Sequence, residues 1–135
     1  MPDRDGDPRE RAPDRRIIAS RRSELGRRAE EMACAHLTKL GFEIVARNAR
    51  VGRLELDVIA RRGALLVFCE VRSRTSDRLM TPAQTIDRRK VARVRSAAAQ
   101  WLRASNARGA QVRFDVASVL FDVPAGKLNY LEGAF

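Results

Sequence analysis

In the stretch RLELDVIARRGALLVFCEVRSR, residues 53–74, the acids Glu55, Asp57 and Glu70 and the cations Arg53 and Arg72 interrupt an apolar alternation. The alternation about Gly63 predicts a β-hairpin. A four-residue loop over Arg61–Ala64 matches Leu54 with Val71, Leu56 with Cys69, Val58 with Val67 and Ala60 with Leu65, which gives one apolar face. On the other face Asp57 then stands opposite Phe68, Glu55 opposite Glu70 and Arg53 opposite Arg72. Like charges directly opposite are destabilising, so the patch calls for a cation. Arg53 or Arg72 is one source, and a divalent metal is the other. Mg²⁺ is a hard ion that takes carboxylate oxygens, water and substrate phosphate. Asp57 and Glu70, diagonal on adjacent strands, are the pair within reach of a common ion.

The rest of the chain must position that hairpin. Residues 1–22 mix Asp, Arg, Pro and Gly without periodicity and predict a disordered arm ahead of a folded domain over 23–135. Ser23 caps a helix to about Leu40, closed by Gly41. Its apolar stripe is Leu25, Ala29, Met32, Ala33, His36, Leu37 and Leu40. His36 reads as a packed core histidine. Glu31 projects away from the stripe, and Glu30 falls at its edge. A strand follows in FEIVARNAR, with Phe42, Ile44 and Ala46 alternating.

Beyond the hairpin, Thr81, Pro82 and Gln84 form a capping box, so the first task of Gln84 is structural. The helix they open runs to about Ala104. Val91, Val94, Ala97, Ala98, Trp101 and Leu102 point inward, Arg89 and Arg93 outward, and Lys90 lies at the border. QVRFDVASVLF and KLNYLEGAF are two further strands. The order is α-β-β-β-α-β-β, an α/β sheet with helices packed against it.

A chain of 135 residues is one domain. The net charge of +10, with 24 arginines against 3 lysines, makes nucleic acid the first partner to consider. Arginine excess alone reflects genome composition as easily as function. No apolar run reaches the ~20 residues of a membrane span, and the N-terminus lacks a signal's apolar segment. Cys34 and Cys69 sit in apolar patterns without metal-type spacing, and His36 is the single histidine. Reduced core cysteines in a cytoplasmic protein are therefore expected, with no structural zinc.

LELDVIA and LLVFCEVRSR together resemble the PD-(D/E)xK nuclease core, with Asp57 as the first acid, Glu70 as the second and Arg72 at the lysine position. More narrowly, residues 23–135 resemble the YraN family of uncharacterised bacterial proteins, itself similar to archaeal-type Holliday-junction resolvases. The likeness extends through LGRRAEEMACAHLTKLGFEIVARNAR to the ending LNYLEGAF. Leu54 stands where the family has glycine, and arginine replaces the usual lysine at position 72.

That resemblance implies a restriction-endonuclease-like mixed sheet flanked by helices, and metal-dependent hydrolysis of phosphodiester bonds, in DNA more than in RNA, with branched or single-stranded structures among the candidate substrates; no motif in the sequence encodes the choice among them. Asp57 and Glu70, with the Val71 carbonyl, would hold Mg²⁺ or Mn²⁺. Glu30 becomes the fourth acidic element and orients water. Arg72 offsets charge on the phosphate, but it cannot act as a base near neutral pH. Lys90, which matches a family lysine, is an accessory candidate beside Glu55 and Gln84. Arg47, Arg50, Arg74, Arg78, Arg89 and Arg93 are the candidates for tracking phosphates. Resolvase-like relatives act as dimers, so the resemblance admits a homodimer, for which the sequence marks no interface. The alternative is a nuclease fold that binds nucleic acid without cutting it, and a third reading is a protein-interaction domain whose basicity is incidental. The low aromatic content, 5%, argues against extensive base stacking in any binding mode.

Overall fold

The computed structural model describes residues 13–75 and 88–135. The elements are α1 (Pro13–Lys39), β1 (Glu43–Val51), β2 (Leu54–Arg62), β3 (Leu65–Arg74), α2 (Arg88–Ser105), β4 (Gln111–Leu120) and β5 (Lys127–Leu131). The strands form one five-stranded sheet in the order β1-β2-β3-β4-β5. Each neighbouring pair is antiparallel except β3 and β4, which are parallel and joined by the crossover that contains α2. This is the expected α-β-β-β-α-β-β order in a mixed α/β sheet.

Each sheet face buries one helix. Ala33 and Leu37 of α1 pack with Phe42, Val58, Val67 and Cys69 on one side. Val94, Ala97 and Ala98 of α2 pack with Ile59, Leu66, Phe68 and Phe114 on the other. At about 25 cal/mol per Å² of apolar surface, these two layers supply most of the drive to fold.

α1 stops at a Schellman motif. Gly41, at φ 91°, allows Phe42 N–H to reach Leu37 O and Gly41 N–H to reach Thr38 O, each at 3.0 Å. Phe42 is thereby delivered into the same core as Leu37. The helix begins at Pro13 rather than at the Ser23 cap, because no helix breaker intervenes between Pro13 and Gly26. Leu40 lies past its end and is exposed. The capping box of Thr81, Pro82 and Gln84 lies outside the described residues, as do residues 1–12 of the expected arm.

The hairpin is shifted from its expected register. Arg62 pairs with Leu65, leaving a two-residue loop of Gly63 and Ala64, with Gly63 at φ 60°. A two-residue turn of this kind follows the strand twist better than a four-residue loop. Val58 consequently pairs with Cys69 and Ala60 with Val67. Glu55 is thereby moved off Glu70 and lies beyond the end of the β2–β3 ladder, and its ladder partner is Arg50 of β1.

The alternation itself also breaks. Asn48 adopts φ 53°, a left-handed conformation that asparagine tolerates. Around it Ala46 and Ala49, three residues apart, both join the α2 layer, as do Leu56 and Ile59 on the neighbouring strand. Leu54 and Leu56 thus pack toward α2 while Val58 and Ala60 pack toward α1. The single apolar face expected of β2 is corrected to two half-faces that meet at Asp57. On β1 the register shift between Ile44 and Ala46 likewise takes Ala46 off the face of Phe42 and Ile44.

Candidate functional site

The β2–β3 ladder ends at Val58 and Cys69, so the next residues on each strand are Asp57 and Glu70. There a side chain takes over from the backbone, and Val71 N–H donates to Asp57 Oδ2 at 2.9 Å. The Asp57 carboxyl is pushed up to about 7. Burial is the main cause and the charge of Glu70 the next; the Val71 N–H pulls the other way, Glu30 adds repulsion and Lys90 relieves some of it.

Glu70 is 3% exposed. Lys90 reaches it from α2, with Nζ 3.1 Å from Oε1. Lys90, Arg93, Val94 and Ala97 follow the spacing that lines one helical face, and they wall a cleft of about 210 Å³. Its remaining lining is Arg53, Leu54, Glu55, Asp57 and Glu70. Val94 and Ala97 make one wall apolar, which strengthens the charge interactions opposite.

A second, wider cleft of about 620 Å³ is lined by residues that include Arg27, Glu30, Arg47, Asn48 and Glu55. Glu55 belongs to both clefts. Glu30 Oε1 accepts a hydrogen bond from Asn48 Nδ2 at 3.1 Å and from Arg47 Nη2 at 3.4 Å. The left-handed turn at Asn48 is what aims that amide at α1.

The geometry sorts the candidates. Asp57, Glu70, Glu55, Lys90 and Arg93 line the first cleft, together with Arg53. Glu30 lies in the adjoining cleft, tied to Arg47. Arg72 follows Glu70 on β3, half-buried, and is not part of the lining of either cleft. Arg50 and Arg89 are exposed, Arg74 is half-buried, and Arg78 and Gln84 lie outside the described residues. Among the described residues no group of three or more His, Cys, Asp and Glu side chains is gathered for a metal ion. The protein oxygens on offer are those of the Asp57–Glu70 pair, with Glu55 also in the lining.

One buried acid escaped the reading of the sequence. Asp115 on β4 is fully buried and accepts from Arg113 Nε and Nη2 at 2.9 Å each, from Tyr130 Oη at 2.6 Å and from Gly133 N–H at 2.9 Å. Cys69 is its neighbour across the parallel ladder. Burial raises both the Cys69 thiol and the Tyr130 phenol, so both stay protonated. The half-buried His36 ring packs against Tyr130 with centroids 4.5 Å apart. The available signal was an aspartate inside the apolar run FDVASVL. Its four satisfied contacts make it a fastening of β5 rather than a reactive group.

A mixed sheet with an acid pair and flanking cations in one cleft defines an α/β domain with a charged, partly desolvated site. The chain matches the description Uncharacterised protein family UPF0102 over residues 29–119. It is 50% identical to a UPF0102 protein of Sorangium cellulosum, across 87% of this chain and 84% of the relative. A UPF0102 protein of an Anaeromyxobacter species is 39% identical, across 87% and 88% of the two chains. One from Acidothermus cellulolyticus is 41% identical, across 87% and 97%. The protein belongs to the UPF0102 family, the one matched by the YraN-like sequence features.

No helix among the described residues is long and apolar enough to cross a membrane.

Proposed function

We propose that this domain is a divalent-metal-dependent nuclease that hydrolyses phosphodiester bonds in DNA, acting on branched or single-stranded structures. The observation that carries the reading is that Asp57 and Glu70, from neighbouring strands, line one cleft with Lys90, Arg93 and Arg53. The likeness of LELDVIA and CEVR to the PD-(D/E)xK core supports it.

The donor set fits a hard ion. Two carboxylates are a usual protein share for Mg²⁺ or Mn²⁺, with water and substrate phosphate completing the shell. The raised Asp57 carboxyl fits too, since two acids confined together favour a cation between them. Asp57 and Glu70 would hold the ion, with the Val71 carbonyl as a further oxygen. When bound, such an ion supplies Lewis-acid activation of water and phosphate.

The chain's own groups do the rest. Val71 N–H fixes the Asp57 carboxylate in place. Glu30, held by Asn48 and Arg47 in the adjoining cleft, is a positioning acid for the water approaching Asp57. Arg53 and Arg93 hold the phosphates on either side of the scissile bond. Arg72, two residues along β3 from Glu70, contributes positive charge. On a four-way junction this reading requires a homodimer, since two strands must be cut symmetrically.

The test uses labelled duplex, single-stranded, flap and four-way-junction DNA, with Mg²⁺, Mn²⁺ or EDTA. Asp57→Ala and Glu70→Ala are run in parallel. The expected result is metal-dependent cleavage that both substitutions abolish while binding persists. Salt-sensitive binding without cleavage under either metal would leave a nucleic-acid-binding domain, and neither cleavage nor binding near physiological salt would reject both.

A further inference from the structure

The pair of half-buried Asp57 and buried Glu70 already has a cation beside it. Lys90 Nζ contacts Glu70 Oε1 at 3.1 Å, and its charge also steadies the Asp57 carboxylate. Glu70 is almost wholly buried, whereas the Lys90 side chain is 41% exposed at the cleft mouth. Its stem is a flexible four-carbon chain, so the ammonium can leave one partner for another a short distance away. Arg72, two residues beyond Glu70, does not line the cleft.

An ammonium and a hard divalent ion seek the same carboxylate oxygens. Resting on the metal-dependent reading above, we infer that Lys90 is the placeholder cation of the Asp57–Glu70 pair. It neutralises Glu70 in the metal-free protein and competes with the divalent ion for that carboxylate. Once displaced, it becomes the phosphate-contacting ammonium of the cleft, from a lining position that Arg72 does not hold. Metal occupancy and phosphate affinity are thereby coupled through one side chain. An empty site holds its lysine inward, and a loaded site turns it outward.

The experiment is calorimetric titration of Mn²⁺ into the full chain at fixed ionic strength. It compares wild type with Lys90→Met, Lys90→Arg, Glu70→Gln and Arg88→Met. Arg88 is exposed on the same helix and removes an equal charge outside the cleft lining. Lys90→Met is expected to tighten Mn²⁺ binding about fivefold, the scale of a partly exposed ion pair. Lys90→Arg stays near wild type because it keeps a competing charge, and Arg88→Met shifts affinity by less than about twofold. In the Mn²⁺-loaded protein, Lys90→Met also weakens binding of thymidine 5′-monophosphate several-fold.

Unchanged or weaker Mn²⁺ binding in Lys90→Met, with wild-type binding still dependent on Glu70, overturns the placeholder and leaves the metal site standing. Equal tightening by Arg88→Met overturns it as well, by reducing the effect to diffuse charge. Undiminished nucleotide binding removes the phosphate role. No Mn²⁺ binding in any variant rejects the metal-dependent reading, and the inference with it.

Discussion

Asp57 Oδ2 accepts the Val71 N–H at 2.9 Å, so a side chain from β2 completes the hydrogen bonding of β3 where the ladder has ended. The carboxylate is thereby fixed beside Glu70 while the two strands separate. That contact opposes, without cancelling, the burial and repulsion that push Asp57 up to about 7. The consequence for stability has a definite sign. A carboxyl whose folded pKa lies above its unfolded value of 3.8 contributes stability fully present below pH 3.8 and lost as pH rises through about 7. Wild type should therefore lose stability relative to Asp57→Asn between pH 5 and pH 8, by on the order of 1–3 kcal/mol. Denaturant midpoints of both proteins at the two pH values check this, and parallel profiles would contradict it.

Asp115 should be the costliest single acid to remove. Arg113, Tyr130 Oη and Gly133 N–H all lose their acceptor in Asp115→Ala. The expected loss is about 3–5 kcal/mol, because a partly buried guanidinium loses both of its close hydrogen bonds and keeps only the longer contact to exposed Glu132. Tyr130→Phe removes one hydrogen bond and should cost about 1–2 kcal/mol. Urea unfolding of both variants measures the ranking, which reverses if the carboxylate is not the hub.

Asn48 holds a conformation that most side chains resist. Asn48→Ala should destabilise by about 1–2 kcal/mol, since alanine at φ 53° is strained and the Glu30 contact is lost. Asn48→Gly relieves the strain and loses only the contact, so it should lie between alanine and wild type. Thermal melts give the order directly.

The cationic lining of the first cleft should appear in the salt dependence of binding. Each of Arg53→Ala and Arg93→Ala is expected to reduce the slope of log affinity against log salt by about 0.7 for single-stranded DNA. Arg47→Ala should change it less, because Arg47 is engaged with Glu30. Fluorescence anisotropy across a salt series distinguishes them.

The element order was legible because hydrophobic period and turn residues agree along most of the chain. The stripe of Ala29, Ala33 and Leu37 and that of Val94, Ala97 and Ala98 could be read from spacing, and both are buried. The acids of the first cleft stood out as charges interrupting apolar strands. The hairpin register did not, since Gly63 serves a two-residue loop as readily as a four-residue one. The change of face at Asp57 was hidden for a different reason. It depends on the backbone of Asn48 on another strand, and an asparagine in a strand pattern looks like an ordinary outward polar residue. Asn48 also binds Glu30 in the adjoining cleft, a contact between α1 and β1 that no linear spacing encodes. Asp115 was legible in kind, as an acid in an apolar run, but beyond Arg113 on its own strand its partners Tyr130 and Gly133 are remote in sequence.

Through β3 and β4 the sheet also works as a partition. Cys69 and Asp115 are ladder partners directed to the α1 side, while Glu70, the next residue, opens to the α2 side. Two buried carboxylates thus sit a strand's thickness apart, one saturated with donors and the other in contact with the Lys90 ammonium. The saturated one is a rivet and the other a socket. Under the proposed exchange the socket changes its occupant without loosening the rivet, so ion, lysine and phosphate would trade places at the cleft while Asp115 keeps β5 fastened.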